Sequence, residues 1–200
     1  MCSIRVKHSA AMEIEFRRTG ERRYGVIIHR VGQPPMEMNP APGYDPWMPH
    51  DLLHFIVERE LNLRQGIFGQ IADGGTAGTF RSVEFAAANQ REASRSRRRE
   101  AQRGGKLLRQ GRDDSMQSER ATSICLYEWL ARSGDPARRK LAAEMAVNAK
   151  QTRNQQAAEE AKALNDTMVN RICARMDELS AQWSALAVGE SLMVHWPNGR

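Results

Sequence analysis

The 200-residue chain has no run of about 18 apolar residues, the length a spanning helix needs, and its opening MCSIRVKHSAAMEIEF has no apolar stretch of signal-peptide length. A soluble, cytoplasmic protein is expected. Cysteine is scarce as well: Cys2, Cys125 and Cys173 are an odd number without CxxC spacing. Neither a disulfide framework nor a thiolate zinc cluster is indicated, which fits a reducing compartment. Aromatic residues make up 6% of the chain. That is lean for a compact globule, so part of the chain is expected to lie outside the core.

Several chemical motifs are missing too. There is no GxxxxGK[ST] and no GxGxxG, and Gly66, Gly69, Gly74, Gly75 and Gly78 follow a helical stretch where phosphate loops follow a strand. They read as turn and packing glycines. No serine or cysteine sits in a nucleophile elbow. The sequence therefore leans away from an enzyme.

What is abundant is positive charge, and it is local. The chain carries a net +6 and a pI near 9.6. Residues 91–112 hold nine Arg and Lys against Glu92 and Glu100, a balance of +7, so the rest of the chain sums to about −1. Arg95, Arg97, Arg98, Arg99 and Arg103 form the densest part. Such a cluster can neutralise phosphates without reading bases, since no aromatic residue is interleaved for stacking. The first functional reading is a non-enzymatic binding or adaptor protein that sets this segment on an acidic macromolecule, nucleic acid among the candidates, with no cofactor. The plainer alternative is a solvated linker.

The coarse pattern is α+β. Residues 12–18 and 24–31 flank Thr19-Gly20-Glu21-Arg22 as two strand-like runs, a β-hairpin. The proline-rich residues 32–46 read as a surface crossing without helix or central strand. A helix should start at Pro49 and run to about Leu63, a short one should cover 66–72, and a basic helix should start at Ser82 and give way to a flexible link from Gly104 to about Ser118. Helices are then expected over 119–132 and from Pro136 to about Ala161. A last helix carries Val169, Ile172, Met176, Leu179, Trp183 and Leu186 at three- and four-residue spacing, a seam for a core or for a homodimer. The alternation in ESLMVHWP predicts a closing strand beside the hairpin. The expectation is one domain over 12–200, a small antiparallel sheet packed by helices with an exposed helical middle; residues 1–11 are expected to be a disordered extension.

The stretch WMPHDLLHFIVERE, residues 47–60, poses the sharpest chemical question. On a helix His50 and His54 fall about 40° apart, Glu58 about 40° further on, and Asp51 close to Glu58. Histidines at i and i+4 can chelate one ion, zinc foremost, with further ligands arriving from elsewhere. Position 51 is Asp, not Glu, so the HExxH protease pattern and its general base are absent. His29 and His195 are the imidazoles that could complete a site. Against this, Leu52, Leu53, Phe55, Ile56, Val57, Leu61 and Leu63 already explain the helix as a docking element. A metal or acid/base site on His50, His54 and Glu58 is the second functional reading.

Pro49-His50-Asp51-Leu52, His54-Phe55, Val57-Glu58, Leu61, Gly66, Phe68-Gly69 and Ala72, with Trp183 and Trp196-Pro197, resemble a family of small uncharacterised bacterial proteins. Those proteins carry a PHDLxHFxVE helix, a Gly-aromatic-aromatic-Gly turn and a C-terminal Trp-Pro strand. The likeness covers about a quarter of the chain. Ile67 departs from the paired aromatics. The resemblance implies a bacterial source and a shared fold, and it assigns no catalytic residue.

Overall fold

A computed structural model describes residues 12–83 and 90–197, with the side chains of 90–97 and 100 left aside. The fold is α+β, as expected. Five strands, β1 (Met12–Gly20), β2 (Arg23–Arg30), β3 (Met36–Met38), β4 (Arg81–Ser82) and β5 (Ser191–Trp196), form one antiparallel sheet in the order β4-β3-β2-β1-β5. The proposed extension 1–11 lies outside the described residues.

Period-two alternation sorts this sheet into two faces. Met12, Ile14 and Phe16 register with Ile28 and Val26 on one side and with Trp196, Val194 and Leu192 on the other, and all are buried. Glu13, Glu15, His29, Met193 and His195 point the opposite way. The proline-rich crossing holds more structure than its composition predicts. Met36 and Met38 alternate around Glu37, which suffices for the three residues of β3 to pair with β2 and bury both methionines.

Helices cover the apolar face. α1 (His50–Glu60) and α2 (Ile67–Ala72) lie against it, with Phe55 and Phe68 ring centroids 5.6 Å apart and each 6.0 Å from Trp196. Every residue of α1 from Asp51 to Glu58 is buried. The reason is a second helical layer. α4 (Arg112–Ala131) and α7 (Asp166–Ser184) pack on α1 from outside, and the seam Val169, Ile172, Met176, Leu179 and Trp183 is spent on this core. α5 (Pro136–Asn154) and α6 (Ala158–Ala163) complete the outer layer, two helices where the sequence predicts one from Pro136 to about Ala161; α5 buries only Ala142 and Ala149.

The expected flexible link is a correction. Residues 104–118 are helical: α3 (Gln90–Gln110) runs into α4, and the hydrogen-bond ladder passes through Gly111, whose N–H reaches the Leu107 carbonyl at 2.8 Å and whose carbonyl accepts from Ser115 at 2.9 Å. The glycines serve close approach here. A Cβ on Gly111 would overlap the Gln65 carbonyl, and Gly104 sits against Thr76. Composition alone cannot separate a packing glycine from a flexible one.

Candidate metal centre

α1 is apolar enough to be driven into the interior, and it takes three polar groups with it. Asp51, His54 and Glu58 are all buried, so each must find a partner. Each does so in a different direction.

Asp51 turns to the sheet. Tyr24 Oη lies 2.5 Å from Asp51 Oδ2 and 2.6 Å from the Pro42 carbonyl. One hydroxyl proton cannot serve both acceptors. Burial pushes the Asp51 carboxyl up, against the hydrogen bond from Tyr24 and the charge of His50.

Glu58 turns to the start of α2. Its Oε1 accepts the Ile67 N–H at 2.9 Å and its Oε2 the Phe68 N–H at 3.0 Å, while Ser118 of α4 donates its hydroxyl to Oε1 at 3.0 Å. Gly66 makes this approach possible, because a Cβ there would overlap the carboxylate. Burial raises Glu58 to about 7, with the two backbone N–H groups and Ser118 pulling the other way.

His54 turns to α4. Its Nδ1 lies 2.9 Å from Ser118 Oγ and 3.5 Å from Thr122 Oγ1; its Nε2 lies 3.1 Å from His50 Nε2 and 3.7 Å from Glu119 Oε2. With its hydroxyl donated to Glu58, Ser118 faces His54 as an acceptor, which favours the imidazole proton on Nδ1. Nε2 is then the unprotonated nitrogen and accepts the 3.1 Å hydrogen bond from the His50 ring. Burial, then the neighbouring His50, lowers His54 to about 4, so the ring is neutral at physiological pH.

His50 Nε2, His54 Nε2 and a Glu119 carboxylate oxygen all lie within 4.8 Å of one another. Two imidazole nitrogens bound to one tetrahedral zinc stand about 3.3 Å apart, given Zn–N distances of about 2.0–2.1 Å. The observed 3.1 Å matches that bite. The Glu119 oxygen lies 3.7 Å from His54 Nε2 and within 4.8 Å of the His50 ligand atom, and its side chain is 66% exposed and free to move toward both. His50 is exposed too, so the cluster opens to solvent while His54 forms its buried floor.

The predicted ligand set is therefore rearranged. His50 and His54 come together as expected, but Glu58 is drawn away by Ile67 and Phe68 and reaches His54 only through Ser118. Glu119 of α4 is the acidic group that lies beside both histidines. His29 and His195 are on the opposite face of the sheet, 3.1 Å from Glu15 and 3.2 Å from Glu13. Glu15 is lowered: burial raises it, and the donors Ser191, His29 and Arg17 together outweigh that.

Cys125 and Cys173 are buried and free, and burial raises both thiols, Cys173 to about 11. Neither is poised as a nucleophile. Of the basic cluster, Arg98, Arg99 and Arg103 are exposed on α3, while the side chains of Arg95 and Arg97 fall outside the described ones. Among the described residues no helix is long and apolar enough to cross a membrane. No family model, no curated protein and no solved structure matches this chain.

Proposed function

We propose that this protein binds one divalent transition-metal ion of the zinc class through His50 Nε2, His54 Nε2 and a carboxylate oxygen of Glu119. The observation that carries this reading is the His54 ring: one nitrogen is saturated by Ser118 and the other is aimed at His50 Nε2 from 3.1 Å. A metal-bound histidine characteristically gives its second N–H to an oxygen that is itself held in place, and Ser118 backed by Glu58 fills that role. Two histidines and a glutamate suit zinc, and they also suit ferrous iron where further positions stay open. The exposed side of the cluster leaves room for water or an anionic ligand atom in the remaining position.

The histidines have a packing role as well, and the two roles separate experimentally. Equilibrium dialysis of the full chain against zinc should yield about one ion per chain. His50→Gln, which removes the exposed ring of the cluster together with its contact to His54, should lose that ion while the chain stays folded. Equal zinc in wild type and variant would refute the reading.

A further inference from the structure

α3 is seated by one side and bare on the other. Gly104 rests on Thr76 and Leu107 on Gly75, which fixes that side against the loop that follows α2. At about 100° per residue, Arg98, Arg109, Lys106, Arg99, Arg103 and Arg112 then fall within an arc of about 180° opposite the seated side, with Arg112 and Arg103 at its two edges and the Arg103 guanidinium lying against Gly74. All six are exposed. Among the described residues none of them makes an ion pair, although acidic partners hold Arg17, Arg120, Arg132, Arg153, Arg171 and Arg175 elsewhere in the fold. Asp113 and Asp114 begin α4 beside Arg112, and Asp114 is engaged by the Gln65 N–H at 2.7 Å.

We infer that this arc is a docking surface for the phosphate backbone of double-stranded nucleic acid. Four observations select that partner. Five of the six cations are arginine, whose planar fork matches phosphate oxygens bidentately. From Arg98 to Arg112 the helix advances about 21 Å, enough to follow several successive phosphates. No aromatic residue interrupts residues 91–112, so base stacking on a single strand is not provided for. The apolar side of α3 is narrow and turned to the protein, with Leu107 against Gly75 and the half-exposed Leu108 near Gly78, so it offers no apolar face of the width an amphipathic membrane helix buries. The hydrogen-bond ladder through Gly111 holds the charges on one helical path, so less ordering entropy opposes binding than for an unstructured basic segment.

The test is fluorescence anisotropy of the full chain with a labelled DNA duplex of about 20 base pairs, an RNA duplex of the same length and a polyglutamate peptide, over a salt series. Duplex binding is expected with a log–log salt slope of about −4.5 to −5.4, set by five or six phosphate contacts. Arg98→Gln/Arg99→Gln/Arg109→Gln should bind at least about tenfold more weakly at low salt, with a slope smaller by about 3 and an unchanged melting temperature. A preference for the DNA or the RNA duplex would name the natural source of the phosphates. No duplex binding at low salt, equal binding by the triple variant, or polyglutamate binding as tight as duplex binding would overturn the inference.

Discussion

Ser118 Oγ stands 2.9 Å from His54 Nδ1, and the same oxygen donates its proton to Glu58 at 3.0 Å. A hydroxyl with a single proton has thereby become the acceptor that fixes the tautomer of a buried imidazole. Helix α1 brings the histidine and α4 brings the serine, so the chemistry of the exposed cluster is set by how two helices pack.

Ser118→Ala keeps the volume of the site nearly unchanged and removes that acceptor. Zinc affinity should fall by about 10–100-fold, the usual cost of losing the outer partner of a ligating histidine. Nitrogen NMR of the metal-free protein at about pH 8, above the Glu58 transition, reads the cause directly: wild-type His54 should carry its proton on Nδ1, and the variant should show a mixture of tautomers. A purely structural serine would alter melting and leave the tautomer alone.

Glu58 makes the same relay sensitive to pH. Above about 7 it is a carboxylate and Ser118 points its proton at it; below, a protonated Glu58 donates to Ser118, whose hydroxyl then donates to His54 Nδ1 and moves the ring proton to Nε2. Glu58→Gln mimics the protonated state. The ratio of wild-type to variant zinc affinity should be largest near pH 8 and shrink toward pH 6. A ratio that stays constant with pH would contradict the relay.

Stability without metal follows from opposite signs in one cluster. Glu58 is raised from 4.5 to about 7, so its contribution is full below pH 4.5 and is lost as pH rises through 7. His54 is lowered from 6.5 to about 4, so its contribution is present above pH 6.5 and is lost as pH falls through 4. Each amounts to about 3 kcal/mol, and the two oppose each other between about pH 4.5 and 6.5. Denaturant unfolding of the wild type should change little across that window on their account, whereas Glu58→Gln should lose stability steadily as pH falls.

The glycines predict a graded series. Gly66→Ala drives a methyl group into the Glu58 carboxylate and Gly111→Ala drives one into the Gln65 carbonyl, whereas a Cβ on Gly134 meets nothing within 4 Å. The first two should cost about 1–3 kcal/mol, and Gly134→Ala should be close to neutral. Chemical denaturation of the three variants checks the order.

Much of this arrangement was legible in the sequence, and the missing parts have identifiable causes. The hairpin, the start of α1, the seam of α7 and the closing strand all carry strong periodicity over enough residues. The pairing of His50 with His54 follows from helical geometry alone. Glu119 lies 65 positions beyond His54, and only the packing of α4 on α1 brings it near. Glu58 shares the histidine side of the helix, yet its destination depends on Gly66 presenting two N–H groups nearby. The reading of residues 104–118 as a flexible link failed because Gly104 and Gly111 were weighed by propensity, and their role lies in close packing.

X-ray absorption at the zinc edge of the loaded full chain tests the central claim most directly. Two imidazole nitrogens at about 2.0–2.1 Å and a carboxylate oxygen at about 2.0–2.2 Å are expected, with one imidazole remaining in His50→Gln and the carboxylate lost in Glu119→Gln wherever residual zinc is held. Zinc that keeps two imidazoles in His50→Gln, or that coordinates thiolate sulfur, would contradict the account.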